Sequence, residues 1–214
     1  MYTITLTLLV ITVALSLFGF ANKKVINDFI FYPPAIKNDN EWWRFITNGF
    51  IHADLGHLAF NMFSFYMFGD FVEKYFIVLF NENGKGLYLA MYLTALVVCL
   101  IPTYIMQRNN KQYRSLGASG AVSAVIFAGI FLAPTTLKIG LFIFPFTIPG
   151  FIFGPLYLLM TIYMSKRGGD NINHSAHFWG SVWGVGFLII ACKILPGFDP
   201  IQNFVSQVSA YLHL

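Results

Sequence analysis

Long apolar stretches with almost no charge constrain the fold of this chain more than any other feature of its sequence. The first stretch, residues 1–20, has no charged side chain and is long enough to cross the hydrocarbon core of a bilayer. Charged residues make up only 10% of the chain, whereas a soluble domain has about 25%. The sequence therefore predicts an integral, multi-pass membrane protein in contact with the lipid bilayer.

Hydropathy and turn residues divide the chain into six predicted spans and an amphipathic tail. The spans cover residues 1–20, 55–71, 87–106, 119–133, 151–164 and 176–194. The first stretch has no basic start and no small-residue cleavage site, which predicts a retained helix. Apolar residues recur at helical spacing after Asp199-Pro200, which predicts a helix at the membrane interface. The expected domains are a six-helix membrane domain, residues 1–195, and a tail, residues 196–214.

Two connecting segments have unusual compositions. The long first loop, residues 22–49, is rich in aromatic residues, which predicts an ordered and partly embedded segment. Within it, Pro33-Pro34 is expected to stop regular structure, and Arg44 is expected to face lipid phosphates. Residues 139–148 contain Pro145 and are predicted to form a re-entrant or interfacial link.

Charge and cysteine content exclude several classes of function. The net charge is +4, but no stripe of Lys and Arg accompanies it, so we expect charge at the membrane surface and no nucleic-acid partner. Cys99 and Cys192 both lie in apolar stretches and are predicted to be buried free thiols. Cysteine spacing typical of a metal site and the His-Glu-x-x-His pattern are both absent from the sequence.

Ser119 lies in a Gly-x-Ser-Gly turn, between Gly117 and Gly120, at the start of the fourth span. Glycines leave the hydroxyl uncovered, and the first turn of a helix has backbone N–H groups without internal partners. The helix dipole also favours negative charge there. These features suit a nucleophile whose attack creates an oxyanion. The alternative interpretation is a small-residue helix-packing motif, which is common in membranes.

Polar residues within and beside the spans gather at one end of the predicted bundle. Successive spans alternate in direction, so the beginnings of the second, fourth and sixth spans lie on one side of the membrane. Those beginnings carry His52, His57, Asn61, Ser119, His174 and His177. A transporter or channel would instead distribute polar residues through the membrane depth.

Small residues predict how the fourth and sixth spans pack. One stripe is Gly120, Ala124 and Ala128, and the other follows His177 at Gly180 and Gly184. Such faces allow close helix approach. If the stripes meet, Ser119 and His177 can hydrogen-bond, and a serine with a histidine base is an activated nucleophile. His57 and Asn61 share one face of the second span and would approach as donors to an oxyanion.

Four short motifs follow one another along the chain. They are Trp43-Arg44, then His52 with His57 and Asn61-Met62, then Gly117-Ala118-Ser119-Gly120, and finally Ala176-His177 with Gly180 and Gly184. Together they resemble the rhomboid intramembrane serine proteases. The resemblance implies an all-α, six-transmembrane-helix bundle and a Ser119–His177 dyad without a third acid. It also implies an oxyanion site of His57, Asn61 and the Ser119 amide, transmembrane protein substrates, and no metal or organic cofactor.

Two features depart from the family's pattern. Members often carry an aromatic residue four positions after the nucleophile, on the ring of the catalytic histidine, but this chain has Ser123 there. Phe127 and Trp179 are the candidates to hold His177 instead. The family also implies an active-site end outside the cytoplasm of a cell-membrane protein. That orientation puts nine of the 13 Lys and Arg residues outside, whereas the positive-inside rule predicts the reverse.

The remaining residues receive less specific predictions. His174 is expected at the surface of a loop end, His52 in a structural role, and Ser123 in a hydrogen bond to its own helix. A lateral gate for substrates is expected on the fifth span, facing the second span, at Phe151, Phe153 and Tyr157. An inactive rhomboid-like protein that binds client helices is the alternative function, although such relatives typically lack the serine or the histidine. The oligomeric state stays open.

Overall fold

The computed structural model describes residues 3–140 and 147–214, and most of them are helical. The α-helices are α1 (Ile4–Ala21), α2 (Lys23–Phe29), α3 (Pro33–Asp39), α4 (Arg44–Thr47), α5 (Leu55–Phe80), α6 (Gly84–Val98), α7 (Ile101–Gln107), α8 (Ser119–Leu132), α9 (Gly150–Arg167), α10 (His174–Ile194) and α11 (Pro200–Leu212). Short 3₁₀ turns occur at Asn48–Phe50 and Asn81–Asn83. The strands are β1 (Lys138–Gly140) and β2 (Thr147–Pro149).

The predicted all-α membrane bundle is confirmed. The six predicted spans correspond to α1, α5, α6 with α7, α8, α9 and α10. Within the described residues, three helical stretches are long and apolar enough to cross a membrane, namely Ile4–Ala21, Leu55–Gln107 and His174–Ile194. The Ser119–Leu132 helix is apolar but shorter.

Helix α5 continues nine residues past its predicted end at Phe71, because the charged residues at that end all have partners. Asp70 and Lys74 pair on the helix surface with 2.6 Å between Oδ2 and Nζ. Glu73 is buried, and its carboxyl oxygens accept hydrogen bonds from the backbone N–H groups of Ile4 and Thr5 and from the Thr5 hydroxyl. The carboxyl group therefore joins α5 to the first turn of α1, where backbone N–H groups need acceptors.

The first loop contains three short helices, and two predictions about it were wrong. Pro33-Pro34 begins α3 and does not interrupt it, because proline is tolerated where the backbone N–H has no helical partner. Arg44 is buried and does not face lipid phosphates. Its guanidinium pairs with Glu41 and donates to the carbonyl oxygens of Asn27 and Ile30, at 2.7 and 2.8 Å. Arg44 therefore connects two parts of the loop.

The two ends of the predicted interfacial link pair as short antiparallel strands. Ile139 of β1 is opposite Ile148 of β2. The middle of the link, which includes Pro145, lies outside the described residues. Cys99 and Cys192 are buried free thiols, as predicted.

Helix α8 lies at the centre of the bundle. Eleven of its 14 residues are buried, as expected for a helix that is apolar on all sides. The predicted contact with α10 is confirmed: a Cβ atom on Gly180 would overlap the carbonyl oxygen of Gly120, and one on Gly184 would overlap that of Ala124. The two backbones therefore touch, which places the first turns of α8 and α10 side by side.

The tail folds back onto the other end of α8. The side-chain amides of Asn203 and Gln207 both donate to the carbonyl oxygen of Leu132, at 3.0 and 3.2 Å. Phe204 stacks on Phe131 with ring centroids 4.8 Å apart. The two hydrogen bonds give the last carbonyl of α8 partners that a helix end otherwise lacks.

Candidate active site

Ser119 and His177 meet at the adjoining first turns of α8 and α10. The Nε2 atom of His177 lies 2.7 Å from the Oγ atom of Ser119. Ser119 is the first residue of its helix and is only partly buried. If the serine hydroxyl donates this bond, the imidazole proton is on Nδ1 and Nε2 is free to accept a second proton. The pair therefore has the geometry of a hydroxyl nucleophile next to its base.

The first turn of α10 is anchored by Asn173. Its Oδ1 atom accepts from the backbone N–H of Ala176 at 3.1 Å and from the hydroxyl of Thr103 in α7 at 3.2 Å. The first bond is an N-cap, which fixes where the helix begins. The second joins the start of α10 to a neighbouring helix, so the backbone that carries His177 is held from two sides. The sequence pattern gave no reason to single out Thr103.

Gly117 lets the ring of His57 reach the loop in front of the nucleophile. Its φ of 117° is a conformation that other residues rarely adopt. A Cβ atom there would lie 2.8 Å from Cε1 and 2.9 Å from Nε2 of His57. The backbone N–H of Gly117 donates to the carbonyl oxygen of Asn48 at 2.9 Å, which fixes the loop. The ring of His57 therefore contacts the chain at Gly117, two residues before Ser119.

His52 contacts α1, the start of α5 and the loop before α8. It is fully buried, and its ring packs edge-to-face on His57 with centroids 4.9 Å apart. Its Nδ1 is 3.0 Å from the hydroxyl of Ser16, and its Nε2 accepts from the backbone N–H of Ala118 at 3.5 Å. Burial lowers the pKa of His52 to about 4. A neutral ring that accepts at Nε2 agrees with that environment.

Asn61 is buried and lies one helical turn after His57, as the spacing predicted. Its Nδ2 atom donates to the carbonyl oxygen of His57 at 3.0 Å. This bond uses one of the two N–H bonds of the amide group. The other N–H is the one that could serve an incoming oxyanion.

His174 does not lie on the surface of a loop end, so that prediction was wrong. It is the first residue of α10 and only 8% exposed. Its ring packs edge-to-face on that of His177, with centroids 6.0 Å apart. Its Nε2 atom lies 2.9 Å from Oδ2 of Asp170 in the preceding loop. Asp170 is a further residue that the sequence pattern did not indicate, because its contact depends on the loop geometry.

The side chain of Ser123 bonds across to another helix and not to its own. Its Oγ atom lies 3.1 Å from the phenolic oxygen of Tyr157 in α9. Tyr157 also packs against Phe127 and stacks on Phe153. Phe127 thus contacts the proposed gate residues. Trp179 is 41% exposed and packs on Phe178.

The three gate candidates on α9 do not share one neighbour. Phe153 and Tyr157 pack on an apolar cluster that includes Phe127 and Ile130 of α8, and Phe68 of α5 packs on the same cluster. Phe151 instead packs against Tyr211 of α11, with centroids 5.4 Å apart.

In residues 3–140 and 147–214, there is no group of three or more His, Cys, Asp or Glu side chains that could hold a metal ion.

Comparisons with known proteins find two similar plant proteins. A stretch of 148 residues is 34% identical to RHOMBOID-like protein 12, mitochondrial, of Arabidopsis thaliana, covering 64% of this chain and 42% of that protein. A stretch of 163 residues is 29% identical to Rhomboid-like protein 11, chloroplastic, of the same plant, covering 71% and 53%. The chain thus spans about half the length of these two relatives.

A bacterial relative is matched over most of both chains. Rhomboid protease GlpG of Haemophilus influenzae is 28% identical over 163 residues, which are 76% of this chain and 77% of that protein. The family model of the Rhomboid domain matches residues 39–194. That match covers more than half of the sequence and includes both Ser119 and His177, so the chain belongs to the rhomboid family.

Proposed function

We propose that this chain is an intramembrane serine endopeptidase that cleaves transmembrane segments of other proteins with Ser119 as nucleophile and His177 as base. The observation that carries the proposal is the 2.7 Å separation of Ser119 Oγ and His177 Nε2 at two adjoining helix starts. Family membership and a relative named as a rhomboid protease support the same reaction class. An inactive client-binding protein would have no need for this hydrogen-bonded pair.

The reaction proceeds by acyl transfer. Ser119 gives its hydroxyl proton to Nε2 of His177 while Oγ attacks the carbonyl carbon of the scissile peptide. As the C–N bond breaks, His177 returns the proton to the leaving amine, and the acyl group stays on Ser119. A water molecule then gives a proton to His177 and attacks the ester carbon. As the C–O bond to Oγ breaks, His177 returns that proton to Oγ, which releases the carboxylic acid and restores the serine.

The negative oxygen of the intermediate needs hydrogen-bond donors beside Ser119. The backbone N–H of Ser119 belongs to the first turn of α8, where such groups have no helical partner and the dipole favours negative charge. The His57 ring lies against Gly117, and Asn61 lies one turn further along α5. We assign these three groups to the oxyanion site.

Substrate helices reach the dyad from the side of α9. Phe153 and Tyr157 lie between that helix and Phe127 of α8, and the Tyr157–Ser123 hydrogen bond is one turn from the nucleophile. Separation of α9 from α8 and α5 would open a lateral path to Ser119. Phe151 packs on Tyr211 of the tail, so it is the least supported of the three proposed gate residues.

The proposed location is a multi-pass position in the cell membrane, with the first turns of α8 and α10 outside the cytoplasm. The apolar helices require a bilayer of some kind. Two relatives carry the words mitochondrial and chloroplastic in their names. The choice of the cell membrane and of this orientation therefore rests on the family pattern alone.

The test is cleavage in reconstituted vesicles. A single-span substrate protein is incorporated together with the purified chain, and the products are sized by mass spectrometry. We expect cleavage within or beside the substrate span, loss of cleavage in Ser119→Ala, and full cleavage in the matched control Ser206→Ala on the exposed side of α11. Substrate binding without cleavage by the wild type would favour the inactive, client-binding alternative.

A further inference from the structure

The ring of His174 is the aromatic neighbour of His177 within the part of the chain that the structure describes. The two rings lie three residues apart on one face of α10, at 77° to each other with centroids 6.0 Å apart. This is an edge-to-face arrangement at a distance where aromatic pairs attract. His174 is only 8% exposed, so its ring fills a place inside the protein.

Asp170 holds the His174 ring in that place. Its Oδ2 atom lies 2.9 Å from Nε2 of His174, and its Oδ1 atom accepts from the backbone N–H of Ile172 at 3.2 Å. The hydrogen bond from His174 lowers the pKa of Asp170, so the carboxylate persists as an acceptor near neutral pH. The Nδ1 atom of His174 is buried without a hydrogen-bond partner among the described residues. The orientation of this ring therefore depends on Asp170.

His177 needs support of this kind, because its own Nδ1 atom makes no hydrogen bond within residues 3–140 and 147–214. Among the described residues, no carboxylate hydrogen-bonds the ring from behind, as one does in a three-residue triad. The bond from Ser119 aligns the ring in the free protein. That bond disappears once Ser119 is acylated, yet Nε2 must still point at the attacking water. Packing contacts such as the one with His174 then have to hold the ring.

We propose that Asp170 and His174 are positioning residues for His177: Asp170 fixes the ring of His174, and that ring keeps the imidazole of His177 aimed at Ser119. The proposal rests on the proposed function of the Ser119–His177 pair. Asp170 and His174 take no direct part in the reaction, because neither contacts the hydroxyl of Ser119. It requires an aromatic ring at position 174, and it requires Asp170 only while that ring is a histidine.

A double-mutant cycle tests this dependence. The reaction rate of Ser119 with a small fluorophosphonate is measured in detergent together with kcat and KM for a protein substrate. His174→Ala should lower the labelling rate and kcat about 3- to 10-fold, the loss expected for one edge-to-face contact, with KM changed less than twofold. His174→Phe should restore most of the rate, because it keeps the ring. Asp170→Ala should lower the rate with His174 present and have no effect with Phe at that position.

The controls distinguish a failure of the positioning role from a failure of the proposed function. Asp39→Ala removes another exposed carboxylate and should leave the labelling rate unchanged. If His174→Ala fails to fold, as shown by its melting temperature, the Asp170→Ala variant in the two backgrounds still decides. An equal effect of Asp170→Ala in both backgrounds, or His174→Ala with wild-type rate, would overturn the positioning role. A wild-type protein whose Ser119 does not react would overturn the proposed function as well.

Discussion

Gly180 of α10 lies against the backbone carbonyl of Gly120 in α8, so closely that a single added carbon would overlap the oxygen. Gly184 makes the same contact with Ala124 one turn further on. The distance between the two helix axes is therefore set by the absence of side chains. Ser119 and His177 lie at the start of this contact, so their separation depends on it.

Gly180→Val should lower the melting temperature in detergent and the activity together, because the larger side chain forces the two backbones apart. Overpacking of this kind costs about 1–3 kcal/mol. The matched control is Gly186→Val in the same helix, since a Cβ atom on Gly186 meets nothing within 4 Å. Equal melting and turnover in the two variants would mean that the close approach does not determine the site.

The sequence predicted this contact because small residues at helical spacing have one physical use in a membrane, which is close packing. It also predicted that His52, His57, Ser119 and His177 gather at one end, because alternating spans leave little freedom. Both inferences depend on spacing along a helix, which a sequence shows directly.

Three errors concern residues whose partners the sequence pattern does not identify. Glu73 looks like the end of a span until the N–H groups of α1 are seen to bind it. Arg44 looks like a lipid-facing cation until the carbonyls of α2 and its following turn are placed around it. His174 looks like a surface residue until the loop brings Asp170 to its ring. Composition favours the wrong environment in each case, and only the contacts made in the folded chain reverse it.

Asn61→Ala separates an oxyanion role from a packing role. A donor to a charge that exists only in the transition state affects kcat more than substrate affinity. We expect kcat to fall roughly 10- to 1,000-fold with small shifts in KM and melting temperature. The bond from Asn61 to the carbonyl of His57 is local to α5, so its loss should cost little stability. A large melting shift with near-normal kcat would assign Asn61 to packing.

His52 makes stability depend on pH. Its pKa is lowered from 6.5 to about 4 by burial, so the folded protein binds fewer protons than the unfolded chain between these values. The contribution of His52 to stability is therefore complete above pH 6.5 and is lost as the pH falls towards 4, by at most about 3 kcal/mol. A plot of melting temperature against pH should therefore be flatter for His52→Gln than for the wild type. The exposed His213→Gln serves as control, and parallel curves for wild type and His52→Gln would refute this assignment.

Glu73→Gln should destabilise the packing of α1 on α5. The carboxyl group accepts hydrogen bonds from two backbone N–H groups and from Thr5, and an amide turns one acceptor into a donor that faces another donor. We expect a loss of about 1–3 kcal/mol, seen as a lower melting temperature. Glu82→Gln, at an exposed position, should melt like the wild type. A Glu73→Gln protein with unchanged melting would show that the buried contacts contribute nothing net.

Covalent labelling shows whether Ser119 is a nucleophile that His177 activates. The purified chain is treated with a fluorophosphonate, digested, and mapped by mass spectrometry. We predict one modified serine, Ser119, with labelling abolished in Ser119→Ala and strongly reduced in His177→Ala, because Nε2 of His177 lies 2.7 Å from the hydroxyl. An unlabelled Ser119 in folded wild-type protein, or equal labelling after removal of the His177 ring, would mean that Ser119 and His177 are not a catalytic dyad.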